Sequence, residues 1–320
     1  MLLKVALLLA GFVILVKGAD FLVNGASSVA KKFNISNLAI GLTVVAFGTS
    51  APELLVNIVS SVKGYNDAAY GNVIGSNIFN LLFILGVSGL IYPLVVQKNT
   101  IAYEVPLSLI ATLVLFALVN DQLIAASPDI LSLVDAFILL VCFGVFMLYV
   151  YRSMKKTSDL TTEGEIKVYK TGMSVVLIVV GLTMLVGGGN LVVENAVAIA
   201  HRYGLSEKLI GLTILAAGTS LPELATSAVA AFKKNTDIAI GNVIGSNIFN
   251  IFFILGITGL IKPVPYNAAL NFDMYVLGGA TVMLMIFMFT INQKKLDRWE
   301  AFIMLLSYVA YTLFLINQES

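Results

Sequence analysis

The sequence predicts an all-α polytopic membrane protein with ten transmembrane helices arranged as two inverted five-helix repeats. Three observations predict it: an extreme composition, a long internal repeat, and an odd number of apolar runs in each half. Of 320 residues, 59% are hydrophobic and 12% are charged, whereas a soluble domain carries about 25% charged residues. A soluble core cannot hide that much apolar surface, and a bilayer can. The net charge of +1 gives no basic face for a nucleic acid. The single cysteine, Cys142, sits in an apolar run and has no intrachain partner. With one histidine, His201, as well, a zinc centre of about four N, S or O ligands is excluded. Cys142 is read as a packing residue.

The repeat is read by self-comparison. GLTVVAFGTSAPEL at Gly41–Leu54 returns as GLTILAAGTSLPEL at Gly211–Leu224, with ten of fourteen positions the same. GNVIGSNIFN is identical at Gly71–Asn80 and Gly241–Asn250, and GVSGLIYP at Gly86–Pro93 returns as GITGLIKP at Gly256–Pro263. Every block is displaced by 170. Gly18, Asp20 and Ala26 align with Gly188, Asn190 and Ala196 at that offset. The run Leu2–Val16 is therefore kept as a first helix and not as a cleaved signal.

A membrane helix needs about 20 apolar residues. Such runs fall near 2–28, 37–61, 69–92, 101–120 and 129–151, and again near 171–200, 208–231, 239–262, 269–291 and 299–317. Residues 1–152 form the first repeat, with its motif at 41–80. Residues 153–170 are a cytoplasmic linker, and 171–320 form the second repeat, with its motif at 211–250. Five spans per half make the second half enter from the opposite side, the plan of many secondary transporters. With the N-terminus outside, thirteen lysines and arginines fall on inner loops and five on outer segments, Lys17 being intramembrane. That bias places both termini outside.

Glu53 and Glu223 lie mid-span. An intramembrane carboxylate costs about 2.5–3.5 kcal/mol on insertion scales and ordinarily serves function. Pro52 lacks an N–H and clashes with the carbonyl of Gly48, so carbonyls from Ala46 to Thr49 are expected to face a cavity. Pro222 acts alike on Ala216 to Thr219. Thr49 and Ser50 share a helix face with Glu53, as do Ser76 and Asn80 with one another. Their counterparts are Thr219, Ser220, Glu223, Ser246 and Asn250. All donors are oxygens, which suits hard cations such as calcium, magnesium or sodium. The pairs Gly71/Gly75 and Gly241/Gly245 fit close helix packing as well as function. Asn72 and Asn242 either cross-link helices or join the site. Lys17 has Asp20 one turn on as its expected partner.

With these residues in hand, the chain resembles the calcium/cation antiporter superfamily and, within it, the prokaryotic sodium/calcium exchanger family. GTSAPE and GTSLPE look like the family's first signature element, and the two GSNIFN segments like its second. The resemblance covers essentially the whole chain. It implies that Glu53 and Glu223 are shared calcium ligands completed by Thr49 and Thr219. It implies that Ser50, Ser76, Ser220, Ser246 and the carbonyls of Ala46 and Ala216 line sodium sites, with Asn80 and Asn250 beside the glutamates. Some members carry aspartate where this chain has Asn250, which leaves stoichiometry and potassium coupling open. Proton/calcium relatives show Gly-Asn-x-x-Glu in place of Gly-Thr-Ser-x-Pro-Glu, which favours sodium.

The implied activity is a secondary active calcium/sodium antiporter of the plasma (inner) membrane, working by alternating access at a two-glutamate site. Proton/calcium exchange and potassium-dependent exchange are the alternatives. A passive channel is a weaker one, since it needs no inverted repeat. An enzyme is not expected, because a membrane protease needs a nucleophile–base pair or paired aspartates. Ca2+ and Na+ are the transported ions. No organic cofactor and no obligatory protein partner are expected beyond membrane lipid.

Overall fold

The computed structural model describes residues 2–97, 100–124, 128–154, 167–203, 216–290 and 294–319. Among these, eight helices are long and apolar enough to cross a bilayer, and a bent pair makes a ninth. In chain order they are α1 (Leu2–Phe33), the bent pair α2 (Asn37–Thr49) and α3 (Ala51–Lys63), α4 (Asn66–Ile91), α5 (Thr100–Val119) and α6 (Leu133–Met154). The second half supplies α7 (Thr171–Arg202), a shorter apolar helix α8 (Leu221–Phe232), α9 (Thr236–Ile261), α10 (Ala268–Phe287) and α11 (Arg298–Glu319). The start of the expected span 208–231, and most of the linker, lie outside the described residues.

The helices follow the hydrophobic runs because lipid offers the backbone no hydrogen-bond partner. Their boundaries sit within a few residues of those read from sequence, and the main difference is at the end of α1. Its polar tail to Phe33 continues the helix, since Lys31 and Lys32 in the last turn suit the negative end of the helix dipole.

Elements recur at the sequence offset. The α4 segment Asn66–Ile78 matches the α9 segment Thr236–Ile248, and both continue into a π-helical turn, Phe79–Ile84 and Phe249–Ile254. Two short antiparallel ribbons tie the halves together. β1 (Leu94–Val95) pairs with β4 (Lys295–Leu296), and β2 (Ile130–Leu131) pairs with β3 (Val264–Pro265). Exchanging the halves converts one ribbon into the other.

α4 and α9 form the buried centre, while α1, α6 and α11 leave most of their surface exposed to the surroundings. α1 and α7 pack antiparallel along a glycine seam. A Cβ at Gly18 would lie 2.9 Å from the Gly181 carbonyl oxygen, and one at Gly188 would lie 3.1 Å from that of Gly11. Only small residues let two membrane helices approach so closely.

Candidate functional site

The site is built where two helices break. α2 and α3 meet at an angle of 46°. Between them Ser50 has φ −84° and ψ 9°, the bridge region that active-site residues often adopt. Pro52 then starts α3, where its missing N–H is no loss. The same break occurs before α8, with Ser220 at φ −90° and ψ 8° and Pro222 in the first turn. Each break puts its glutamate in the first turn of a new helix. There the free N–H groups and the dipole favour negative charge, so a carboxylate is tolerated at 1% exposure for Glu53 and for Glu223.

The two halves then exchange contacts across the centre. Ser50 Oγ donates to Glu223 Oε1 at 2.8 Å, and Ser220 Oγ donates to Glu53 Oε1 at 3.2 Å. Ser50 Oγ also lies 3.0 Å from Ser246 Oγ, which is 3.5 Å from Glu223 Oε1. Thr49 Oγ1 meets Asn242 Oδ1 at 3.1 Å, and Thr219 Oγ1 meets Asn72 Oδ1 at 3.4 Å. Asn80 donates to Asn247 Oδ1 at 3.0 Å, and Asn250 donates to Asn77 Oδ1 at 2.9 Å. Apart from the two contacts of Ser246, which Ser76 does not repeat, the bonds come in pairs related by the repeat.

What these bonds leave over is as informative. Glu53 Oε2, Glu223 Oε2, Asn80 Oδ1, Asn250 Oδ1 and Ser76 Oγ are buried with no hydrogen-bond partner. A buried unpaired oxygen costs about 1–3 kcal/mol, and more when charged. These five fall on residues singled out from the sequence as cation ligands; other buried oxygens without a partner lie outside that set, at Ser61, Ser88 and Thr236 among others. The π-helical turns bear on this, since Asn80 and Asn250 both sit in one, and such turns are frequent at functional sites. Among the described residues no three His, Cys, Asp or Glu side chains cluster around a metal position. Two carboxylates with neutral oxygens are the available set.

The Ala46 carbonyl departs from expectation. It is not released by Pro52, because it accepts the Ser50 N–H at 3.0 Å and the Thr49 hydroxyl at 3.3 Å. Proline removes the donor four residues on, which frees Gly48 rather than Ala46. Ala216 falls in the short helix Ala216–Gly218. Lys17 is exposed, and Asp20 pairs with Lys233 across to the end of α8, Nζ to Oδ1 2.5 Å. A local sequence neighbour lost to a partner on another helix. Asn72 and Asn242 cross-link helices and also accept from the site threonines Thr219 and Thr49. Asn72 donates to Asn57 Oδ1 at 2.7 Å, and Asn242 donates to Ser227 Oγ at 3.0 Å. Cys142 is half-buried and packs against the core.

Asn77 and Asn247 were missed. Each donates to the other's backbone carbonyl, at 3.1 and 3.2 Å, and each accepts from Asn250 or Asn80. Their place in the duplicated GSNIFN was the available signal. Glu104, buried at the start of α5 and accepting from Tyr149 at 2.5 Å, was also missed. It has methionine at the equivalent position, so the repeat did not flag it.

A cavity of about 950 Å³ opens beside the site. Pro52, Val56, Asp67, Gly71, Asn72 and Gly75 line one wall, and Asn190, Val193, Glu194, Thr219 and Pro222 another. The same positions of α9 are buried throughout Thr236–Ile248.

Fold and donor set together define an integral membrane protein with a desolvated, oxygen-only cluster suited to hard cations. The chain belongs to the sodium/calcium exchanger protein family, a family of membrane transporters whose model matches residues 3–152 and 173–317. It is similar to the sodium/calcium exchanger MaX1 of Methanosarcina acetivorans, 32% identical over 338 residues and covering 95% of this chain and 96% of that one. Inner membrane protein YrbG of Escherichia coli is 38% identical over 268 residues, covering 82% and 81%. Among solved structures, the sodium-calcium exchanger NCX_Mj soaked with zero Na+ and Ca2+ superposes with a TM-score of 0.82. It is 34% identical over 98% of this chain and 99% of that one.

Proposed function

We propose that the chain is a secondary active antiporter that exchanges calcium for sodium by alternating access at a site centred on Glu53 and Glu223. One observation carries the reading: both glutamates, Asn80, Asn250 and Ser76 each keep a buried oxygen with no hydrogen-bond partner, and they come from both halves. Calcium takes six to eight oxygens in irregular geometry. Two carboxylates match its charge, Thr49 and Thr219 offer neutral oxygens to it, and Asn80 and Asn250 flank the pair. Sodium needs several oxygens and less charge. Ser50, Ser76, Ser220 and Ser246, with carbonyls near Ala46 and Ala216, would supply them. Both ions draw on the same two carboxylates, so they compete, and competition at one site is what couples their movements.

The ten-span inverted plan supports the access cycle. Two halves of opposite orientation give two equivalent ways to pack, one open to each side. The cavity beside α3 and α4, with its counterpart beside α8 and α9 packed shut, agrees with a carrier resting in one of them. By the positive-inside bias the open side is the outer face of the plasma membrane, and both termini are outside.

The test is radiolabelled calcium uptake into proteoliposomes with pH clamped by ionophore and the sodium gradient varied. Uptake rising with an outward sodium gradient is expected. Uptake that ignores sodium and follows an imposed pH gradient would assign protons instead.

A further inference from the structure

The second half of α1 is fastened to the end of α8 by a polar knot. Lys233 Nζ binds Asp20 Oδ1 at 2.5 Å and Asn24 Oδ1 at 2.7 Å, and Asn24 Nδ2 closes the ring on Asp20 Oδ2 at 3.2 Å. One turn further, Asn235 Nδ2 donates to Ser27 Oγ at 2.9 Å. None of these residues belongs to the ion site.

Exchanging the halves by 170 carries Asp20, Asn24 and Lys233 onto Asn190, Glu194 and Lys63. The acid and the amide have traded places, one turn apart on the same helix face, so an acid still faces a lysine. In this structure that counterpart is undone. Lys63 and Glu194 are exposed, and neither has an ion-pair partner among the described residues. Asn190 and Glu194 instead line the cavity that parts α7 from α3, whose Pro52 and Val56 form the facing wall. On the closed side Thr226, the equivalent of Val56, and Val23, the equivalent of the cavity-lining Val193, are buried, and α1 packs along α8.

We infer that Asp20–Lys233 is a latch holding the inner side shut, and that Glu194–Lys63 is the reciprocal latch, made when the outer side shuts. This rests on the alternating-access reading. The two are unequal, because Ser27 and Asn235 correspond to Val197 and Tyr65. Valine has no polar atom to meet a partner, so the outer latch lacks that bond. The inner latch has one more, which biases the resting protein toward the state seen here.

The experiment uses the full-length protein in detergent, where maleimide reaches both faces, with Cys142→Ala so that only introduced cysteines label. Ala68→Cys reports the open side, where Ala68 lines the cavity, and Ile238→Cys reports the closed side, where Ile238 is fully buried. Asp20→Asn or Lys233→Gln should raise labelling at Ile238→Cys several-fold and lower it at Ala68→Cys. The exchange Asp20→Lys with Lys233→Asp should restore the parent rates. Glu194→Gln should shift the two reporters the opposite way, a result that local unfolding does not produce. Unmoved reporters, or an exchange that restores nothing, overturn the latch. Sodium-driven calcium uptake by the parent protein is measured separately. Its absence would sink the transport reading, whereas unmoved labelling with uptake intact sinks the latch alone.

Discussion

The ten residues GNVIGSNIFN occur twice in this chain and lie in opposite surroundings. At 71–80 they border an open cavity, and a Cβ added at Gly71 or Gly75 would meet nothing within 4 Å. At 241–250 they are packed tight. A Cβ at Gly241 would lie 2.9 Å from the Leu38 carbonyl oxygen, and one at Gly245 would lie 2.8 Å from both Ala46 Cβ and Leu42 Cα. Identical sequence therefore does not fix its own burial. The glycines keep both halves able to accept a neighbouring helix, and in this structure one half does. A stripe of small residues in one repeat is legible as a docking face only because the other repeat is occupied.

The largest expected effect concerns what the halves share. Glu53→Gln and Glu223→Gln should each cut calcium flux by about 100-fold or more while the protein still folds, since losing either charge leaves one carboxylate for a divalent ion. Near-normal flux in one of them would make the two halves unequal at their centre. Orientation comes next. In the Cys142→Ala background, Lys63→Cys should label from outside intact cells, and Lys295→Cys only after permeabilisation. The reverse would turn the open cavity inward and leave the comparison otherwise intact.

The glycine contrast gives a smaller effect of opposite sign. Gly241→Ala and Gly245→Ala should destabilise the protein by about 1–3 kcal/mol, the usual result of overpacking. Gly71→Ala and Gly75→Ala, in open space, should gain about 0.5–1 kcal/mol from helix preference. Thermal unfolding in detergent reads both. Equal shifts in all four would mean that the two stripes are equally packed in solution.

Much of this is legible in the sequence because the repeat writes the same unusual polar residues twice. Glu53, Ser50 and Asn80 stood out through Glu223, Ser220 and Asn250, and the apolar runs gave the helices. What the sequence hid was partner choice between helices. Asp20 could be read beside Lys17, but not beside Lys233 on another helix. The donor set of Asn77 and Asn247 was hidden too, because an asparagine in a membrane helix fits several roles until its neighbour is known. The Ala46 carbonyl differs from expectation because proline removes one donor, the one due to Gly48, and leaves the rest of the turn bonded. Glu104 had no counterpart, so nothing in the repeat singled it out.

The smallest contrast lies within the site. Ser50 and Ser220 are equivalent by sequence, and their contacts are not equal. Ser50 Oγ sits 2.8 Å from Glu223 and 3.0 Å from Ser246, whereas Ser220 Oγ has Glu53 at 3.2 Å. A hydrogen bond to a charged group contributes about 1.5–3 kcal/mol, and the shorter, networked one belongs at the upper end. Both hydroxyls are also proposed sodium ligands, so each alanine removes an oxygen from sodium and a donor from a carboxylate. Much of that bond is lost from the sodium-free and sodium-bound states alike, so Ser50→Ala should raise the sodium concentration for half-maximal calcium release by only about tenfold, which corresponds to about 1.4 kcal/mol. Ser220→Ala should raise it about threefold. Sodium titrations of calcium efflux from proteoliposomes measure both. Equal shifts would show that the cycle averages the two halves, each serine taking the tighter position in turn. A larger shift for Ser220→Ala would mean that sodium binds chiefly in the opposite state.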